Sequence, residues 1–345
     1  MKAFVKTGSA PREGGIREVS VGSPGHGEAL LKVSSCGVCG SDLHAYASDA
    51  GFEWVRTPVT LGHEFSGIVE EVGEGVSRIE PGDRVVAIAI QGCGECGFCR
   101  AGSTQLCADR VAVGLDRDGG MAEYAVVPAR HLVAVPPELD LRLAALCEPL
   151  AVAVHAINSR SGIKPGGTAV VSGPGPIGIL CALVARLGGA RVFVTGLGAD
   201  SEHRLPAARR AGLQTADLGE ASLEEQLLKK LGTAEPDNWI ESSGSVKALK
   251  SALDTVRPGG SVTVVGLYPE EITFFPTTAV RREIGLWFSY TCNHPDYVTA
   301  LNLLSSGAVD PEPLISAYPL ESAPEAFEAA QSSRAVKAVL SASGT

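Results

Sequence analysis

The segment Thr168–Gly189, TAVVSGPGPIGILCALVARLGG, constrains this chain more than any other. An apolar run enters a Gly-x-Gly-x-x-Gly turn at Gly173, Gly175 and Gly178, and a helix-length apolar segment leaves it. A strand, a tight glycine turn and a helix in that order open a parallel βαβ unit. The glycines permit the turn and let backbone amides approach a pyrophosphate held at the helix N-terminus. A plain glycine linker would have neither the strand before it nor the helix after it. Pro174 and Pro176 are compatible with the loop, because neither nitrogen is needed for a ladder bond. The expected nucleotide-contacting residues are Gly173, Gly175, Pro176, Ile177 and Gly178, joined by Gly266 after a later strand.

The remainder of the chain divides around that unit. From Gly162 apolar runs (RVFVTG, NWIESSG, SVTVVGL) alternate with amphipathic segments of helical length (SLEEQLLKKLG, ALKSALDTVRPGG), the pattern of a doubly wound parallel sheet. Before about residue 150 the pattern is short β-rich runs punctuated by Gly, Pro and Asp turns, an irregular all-β region. After about residue 291 come a helix, HPDYVTALNLLSSG, with Leu301, Leu303 and Leu304 among its apolar positions, and a tail containing AVKAVLSA. The expected architecture is α/β: a β-rich domain formed by residues 1–155 and 291–345, interrupted by a nucleotide-binding domain over 156–290. A length of 345 residues suits two domains of roughly 150 residues each.

A formal charge of -10 without a Lys/Arg-rich run argues against nucleic acid or an anionic membrane as partner, and favours a small molecule. The opening MKAFVKTGSAPREGG has no apolar signal core, and no uninterrupted apolar run approaches the ~18 residues that would cross a bilayer. The expectation is a soluble, cytoplasmic protein. Nine cysteines in a reducing compartment are then read first as metal ligands.

In GCGECGFCRAGSTQLC the thiols fall at Cys93, Cys96, Cys99 and Cys107, a spacing that lets one lobe, about 91–108, wrap a single ion. Four thiolates close a tetrahedral shell and make a structural zinc site. The rival, an iron–sulfur cluster, would want its fourth cysteine in a Cys-x3-Cys-Pro setting, which is missing. A second set is more open: Cys39 in SSCGVCGSDLH, with His63 and Glu64 in LGHEFSG, offers a mixed sulfur, nitrogen and oxygen shell suited to zinc. Glu148, in the otherwise apolar CEPLAVAVHA, needs a partner if buried and is a candidate fourth ligand or partner of the zinc's water. Capping of helix amides is the alternative role for that carboxylate. His155 suits a packed core, and Cys36, Cys147, Cys181 and Cys292 are assigned to packing.

Cys39-Gly-Ser-Asp-Leu-His44, Gly62-His63-Glu64, the four-cysteine lobe, Glu148-Pro-Leu-Ala-Val-Ala-Val-His155 and Gly173-Pro-Gly-Pro-Ile-Gly178 follow one another in the order found in zinc-dependent medium-chain dehydrogenases, which this chain resembles over nearly its whole length. It is most similar to the sorbitol and threonine dehydrogenase branch; liver-type alcohol dehydrogenases have cysteine where Glu148 stands. The resemblance implies a GroES-like catalytic domain with an inserted Rossmann domain, and two zincs per chain. The catalytic zinc would be held by Cys39, His63 and either Glu64 or Glu148. It also implies that Ser41 contacts the substrate oxygen and passes its proton through the nicotinamide ribose to His44. Family members are commonly dimers or tetramers, and a β-rich edge such as GSVTVVGL could pair across a two-fold axis.

At the end of the RVFVT strand an NAD-binding unit presents Asp or Glu to the adenosine ribose, and here Gly196 stands instead. A carboxylate would repel the additional phosphate of NADP. Its absence, with Ser201, His203 and Arg204 nearby to receive that phosphate, points to NADP(H) in preference to NAD(H). Asp200, four residues past the strand end, is the competing candidate for the missing acid. The implied activity is hydride transfer between NADP(H) and a secondary alcohol or ketone of a polyol, sugar or amino-polyol. Alternatives are a threonine-type dehydrogenase using NAD(H) and a non-catalytic NADP(H)-sensing relative. Tyr46, Phe52, Glu53 and Trp54 are expected at the pocket mouth. Ser289 and Tyr290 occupy the place where polyol enzymes carry an Arg-Tyr pair, which puts ordinary hexitols in question.

Overall fold

The computed structural model describes residues 1–220 and 222–342. It contains two compact units, Met1–Glu148 with Cys292–Gly307 and Ile315–Thr345, and Pro149–Thr291 with Ala308–Leu314.

The first unit is built on a seven-stranded sheet. Its strands lie in the order Leu132–Ala134, Arg84–Ala87, Glu64–Val72, Glu28–Gly37, Lys337–Ser341 and Ile315–Pro319, and Tyr124–Pro128 also pairs with Glu28–Gly37. Alternation drives the central strand: Ala29, Leu31 and Val33 point into the core while Lys32 faces water, the period-two pattern of a sheet with one buried face. Phe4, Leu61, Phe65 and Met121 fill that core. The tail joins the sheet as Lys337–Ser341, whose Val339 stands opposite Gly37; Gly37 in turn stands opposite Glu64. This register brings the N-terminal end of Glu64–Val72 beside Lys337. Gly37 is required there, because a Cβ would run into the Glu64 carboxylate and lie 3.0 Å from Lys337 Cε.

The second unit is a parallel sheet in the order Gln214–Asp217, Arg191–Gly196, Thr168–Ser172, Asn238–Glu241, Ser261–Val264 and Gly285–Phe288. The chain leaves Thr168–Ser172 in one direction and returns to its other side at Asn238–Glu241. The switch point, where doubly wound sheets bind ligands, is therefore at the carboxyl ends of those two strands. The Pro176–Leu187 helix begins there, with proline in its first turn, where its missing N–H costs nothing.

The strand within GSVTVVGL is not an edge. Ser261–Val264 lies between two neighbours and is buried, as a continuous apolar run in a parallel sheet should be. The edge on that side of the sheet is Gly285–Phe288, with Trp287 and Phe288 50% and 68% exposed. His155 is buried in a π-helical continuation, His155–Ser161, of the Cys147–Val154 helix. No helix among the described residues is long and apolar enough to cross a membrane.

Candidate metal centres and nucleotide crevice

Cys39 is the N-cap of the Gly40–Ala47 helix, and its backbone N–H is held at 2.9 Å by the Asp42 carboxylate, so the thiol is fixed at the mouth of a helical turn. His63 and Glu64 enter from the start of the Glu64–Val72 strand, and the ligand atoms of Cys39, His63 and Glu64 lie within 4.8 Å of one another. Asp42 has no exposed surface and its Oδ1 faces His63 Nδ1 at 3.5 Å; neither atom has a hydrogen-bond partner. Behind the cluster Lys337, buried like Glu64, forms an ion pair with it and donates to the Val38 carbonyl at 2.9 Å.

The electrostatics of this cluster suit a cation. Burial lowers the pKa of His63, but the negative charges of Asp42 and Cys39 outweigh it and hold the imidazole well above its ordinary value. Glu148 sits in the first turn of its helix and is buried, and desolvation, opposed by His63 and Lys337 and reinforced by Glu64 and Asp42, lifts it to about 7. A thiol and three carboxylates thus surround one ammonium and one imidazole. A divalent ion fits both the donor set and the charge.

The four cysteines of the lobe form the other group, with sulfurs all within 4.8 Å. Ile90–Gln91 pairs with Val111–Ala112 to close its base. Backbone amides of Glu95 and Cys96 point at Cys93 Sγ, each at 3.4 Å, and bring that thiol down to about 7, while burial lifts Cys99 to about 12. Amides aimed at sulfur suit thiolates around a metal. The other cysteines, Cys36, Cys147, Cys181 and Cys292, are buried and form no disulfide, and Cys147 donates to the Tyr297 carbonyl at 3.5 Å.

At the switch point Gly173 has φ +96° and Gly178 packs on it, whereas nothing lies within 4 Å of the side-chain position at Gly175, which leaves the backbone open to a ligand there. Gly196 ends its strand against Pro174 and Asp200: a Cβ would sit 3.0 Å from Asp200 Oδ2. Asp200 accepts from Leu197 N at 3.1 Å and pairs with Arg204 at 3.4 Å, so the acid four residues past the strand folds back to its end. Ser201 is already engaged, donating to the Asp217 carboxylate. His203 stands beside Glu202 at 3.7 Å. Gly266 follows Ser261–Val264 and contacts the turn at Gly244.

Two expected substrate contacts have partners of their own in the structure. Tyr46 is turned into the core, its ring 5.2 Å from Phe4 and 5.5 Å from Phe327. His44, two residues earlier and so on the opposite side of the helix, is exposed. Glu53 accepts from Gly51 N at 2.9 Å within its own turn. Ser289 Oγ is buried without a partner, and Tyr290 is half exposed. Sequence reasoning missed three residues that shape the first unit's site: Asp42, Lys337, and Asp49, whose carboxylate is 2.7 Å from His44 Nδ1. The first carried a signal, three residues after an N-cap; the second appeared as a lysine inside an apolar strand.

Residues 25–137 match the model of the alcohol dehydrogenase GroES-like domain and residues 176–306 that of zinc-binding dehydrogenases. A sorbitol dehydrogenase of Halalkalibacterium halodurans is 37% identical, over 99% of each chain. An L-threonine 3-dehydrogenase of Coxiella burnetii is 32% identical over 92% of each. Among solved structures, a zinc-binding dehydrogenase of Sinorhizobium meliloti 1021 bound to NADP superposes with a TM-score of 0.89 at 33% identity, covering 99% of this chain and 98% of its own.

Proposed function

The chain belongs to the zinc-dependent medium-chain dehydrogenases, enzymes acting on alcohols, and on that premise we propose that it transfers hydride between NADP(H) and a secondary alcohol or ketone of a polyol, sugar or amino-polyol. The observation that carries this reading is the convergence of Cys39, His63 and Glu64 beside the buried Glu148. Those residues would hold a catalytic zinc, and Cys93, Cys96, Cys99 and Cys107 a structural one. Asp42 facing His63 Nδ1 leaves Nε2 as the ligating nitrogen, the usual role of a carboxylate behind a metal-bound histidine. With Lys337 paired to Glu64, the carboxylate of Glu148 is the one whose ionisation is linked to binding of a cation.

Bound zinc supplies a Lewis acid that eases ionisation of the substrate hydroxyl, and bound nicotinamide supplies the hydride acceptor. The chain's own residues handle the proton. Ser41 and His44 lie three apart on one helix and so share a face. Ser41 Oγ would accept the proton of the substrate hydroxyl as it gives up its own toward His44, and His44, exposed and oriented through Nδ1 by Asp49, would release a proton to water.

NADP(H) is favoured by Gly196 in place of an acid and by Arg204, whose Nε has no partner. The position of Asp200 beside Gly196 supports a second reading, a threonine-type enzyme using NAD(H), in which Asp200 serves as the missing ribose acid. Self-association into a dimer or tetramer fits the unpaired edge at Gly285–Phe288 with its exposed aromatics. Nine cysteines outside any disulfide fit a reducing compartment such as the cytoplasm.

The test is reduced-nicotinamide absorbance with NADP and NAD in parallel, against polyols, amino-polyols, amino sugars and threonine. Turnover with NADP and a hydroxyl compound is expected; turnover with NAD alone would remove the cofactor assignment. Cys39→Ser should lose turnover and the catalytic zinc while keeping its fold, and a fully active variant would sink the metal assignment.

A further inference from the structure

A carboxylate with no part in the reaction lies under the nucleotide crevice. Glu241 ends the Asn238–Glu241 strand and has no accessible surface, a position where an acid is stable only if its oxygens are fully engaged. They are. Oε1 accepts from Ser243 N at 2.8 Å, from the Ser243 hydroxyl, and from Ser172 Oγ at 3.4 Å. Oε2 accepts from Gly244 N at 3.2 Å and from the Tyr268 hydroxyl. Its backbone carbonyl takes Val265 N at 2.8 Å and Gly266 N at 3.0 Å.

These bonds join three separate pieces of chain at the switch point. Ser243 lies against Gly173, whose Cβ would come within 2.9 Å of the Ser243 backbone, and Ser242 Oγ donates to the carbonyls of Ser172 and Gly173. The Gly-x-Gly-x-x-Gly turn therefore rests on the 242–244 turn. Gly266 rests on both Gly244 and Glu241: a Cβ there would be 2.8 Å from Oε2 and 2.5 Å from Gly244 N. Tyr268 closes the far side, and burial together with its bond to Glu241 raises its pKa, so it stays a donor.

We propose that Glu241 is a positioning residue for the dinucleotide, clasping the 242–244 and 265–268 turns so that the second mononucleotide half of the crevice has its binding shape. This rests on the NADP(H) reading above. The sheet order supplies the asymmetry: the adenosine half belongs to the Arg191–Gly196 side of the switch point, and the clasped turns lie on the other side, where the nicotinamide half belongs. Loss of the clasp should then weaken a whole dinucleotide and leave an adenosine fragment unaffected.

The experiment is calorimetric titration of the zinc-loaded protein with NADPH and with adenosine 2′-monophosphate, which lacks the 5′-phosphate that would reach the Gly-x-Gly-x-x-Gly turn, for wild type, Glu241→Gln and Tyr268→Phe. In Glu241→Gln an amide N–H2 replaces one accepting oxygen and confronts donors. Its Kd for NADPH should rise about tenfold, from loss of charge-assisted bonds, with the fragment's Kd unchanged. Tyr268→Phe removes only one donor from a half-buried position, and should give a smaller change of the same selectivity. Equal weakening of both ligands would mean a merely structural role and overturn the proposal, as would an unaltered NADPH Kd in both variants. If Glu241→Gln does not fold, Tyr268→Phe decides alone. Should the wild type prefer NADH, the NADP(H) reading falls, and the clasp is judged by the same ratio using NADH and adenosine.

Discussion

Replacing Lys337 with methionine should destabilise the β-rich unit by about 3–5 kcal/mol, the cost of removing one partner from a fully buried ion pair. The size of the effect follows from where the pair sits. The side chains of Lys337 and Glu64 are 2% and 1% exposed, so the carboxylate that remains can recover little hydration. The Val38 carbonyl also loses its donor at 2.9 Å. Burial by itself would lower the lysine's pKa, yet Glu64, with support from Cys39 and Glu148, raises it: the pair is held by charge in a medium that penalises charge. Methionine keeps much of the stem's volume, so the loss reports the ammonium and not a cavity. Urea unfolding followed by hydrogen exchange of the Glu28–Gly37 and Lys337–Ser341 amides isolates this unit from the nucleotide-binding one. At about 2–4 °C per kcal/mol for a unit of this size, melting should fall by roughly 6–20 °C. The loss should be largest in zinc-stripped protein, because a cation held by Cys39, His63 and Glu64 would still partner the carboxylate that Lys337 leaves behind. Adding Glu64→Gln should cost less than the sum of the single changes, because the two groups share one interaction. A loss below about 1 kcal/mol, the scale of a solvated pair, would refute the reasoning.

Acid stability supplies another test. Burial first, then the charges of Arg130 and Arg117, lowers the pKa of His131 to about 4. Between there and the unfolded value of about 6.5 the unfolded chain holds the extra proton, so this contribution is complete above pH 6.5 and is lost as pH falls through 4; it amounts to about 3 kcal/mol. The slope of unfolding free energy against pH between 4 and 6.5 should flatten in His131→Phe, and an unchanged slope would exclude this residue. Cys96→Ser should reduce bound zinc by one ion per chain and expose residues 92–108 to proteolysis; retention of full metal would contradict a four-sulfur shell. Asp200→Asn should raise the preference for NADPH over NADH about fivefold by removing a like charge and freeing Arg204, and an unaltered ratio of Kd values would show that Asp200 does not face the ribose.

The parts of this protein that were legible in its sequence are those in which chemistry and local spacing coincide. Cys93, Cys96, Cys99 and Cys107 lie within one short lobe, and three glycines in one turn predict their own backbone. Cys39 and His63 were legible for a different reason: each brings a ligand type that has few other uses beside a second metal motif. What the sequence concealed is what depends on register and helical phase. Tyr46 and His44 are neighbours along the chain, but an advance of two residues on a helix turns one into the core and the other to water.

Lys337 and Glu241 expose the deeper limit. Each is a charged residue in a strand, and nothing local distinguishes it from a solvent-facing alternate position. The partner of Lys337 is 273 positions away in sequence terms of about four-fifths of the chain, brought to it only because the tail strand pairs with Glu28–Gly37, which pairs in turn with Glu64–Val72.

 Glu241 has its donors nearer at hand, in Ser243, Gly244 and Tyr268, yet their convergence depends on glycines at 173, 244 and 266 that let three turns touch. In both cases burial without a partner would be prohibitive, so the presence of the charge implies the contact. A charged residue at the end of a strand, once the structure shows it buried, therefore implies a partner, and the fold says which one.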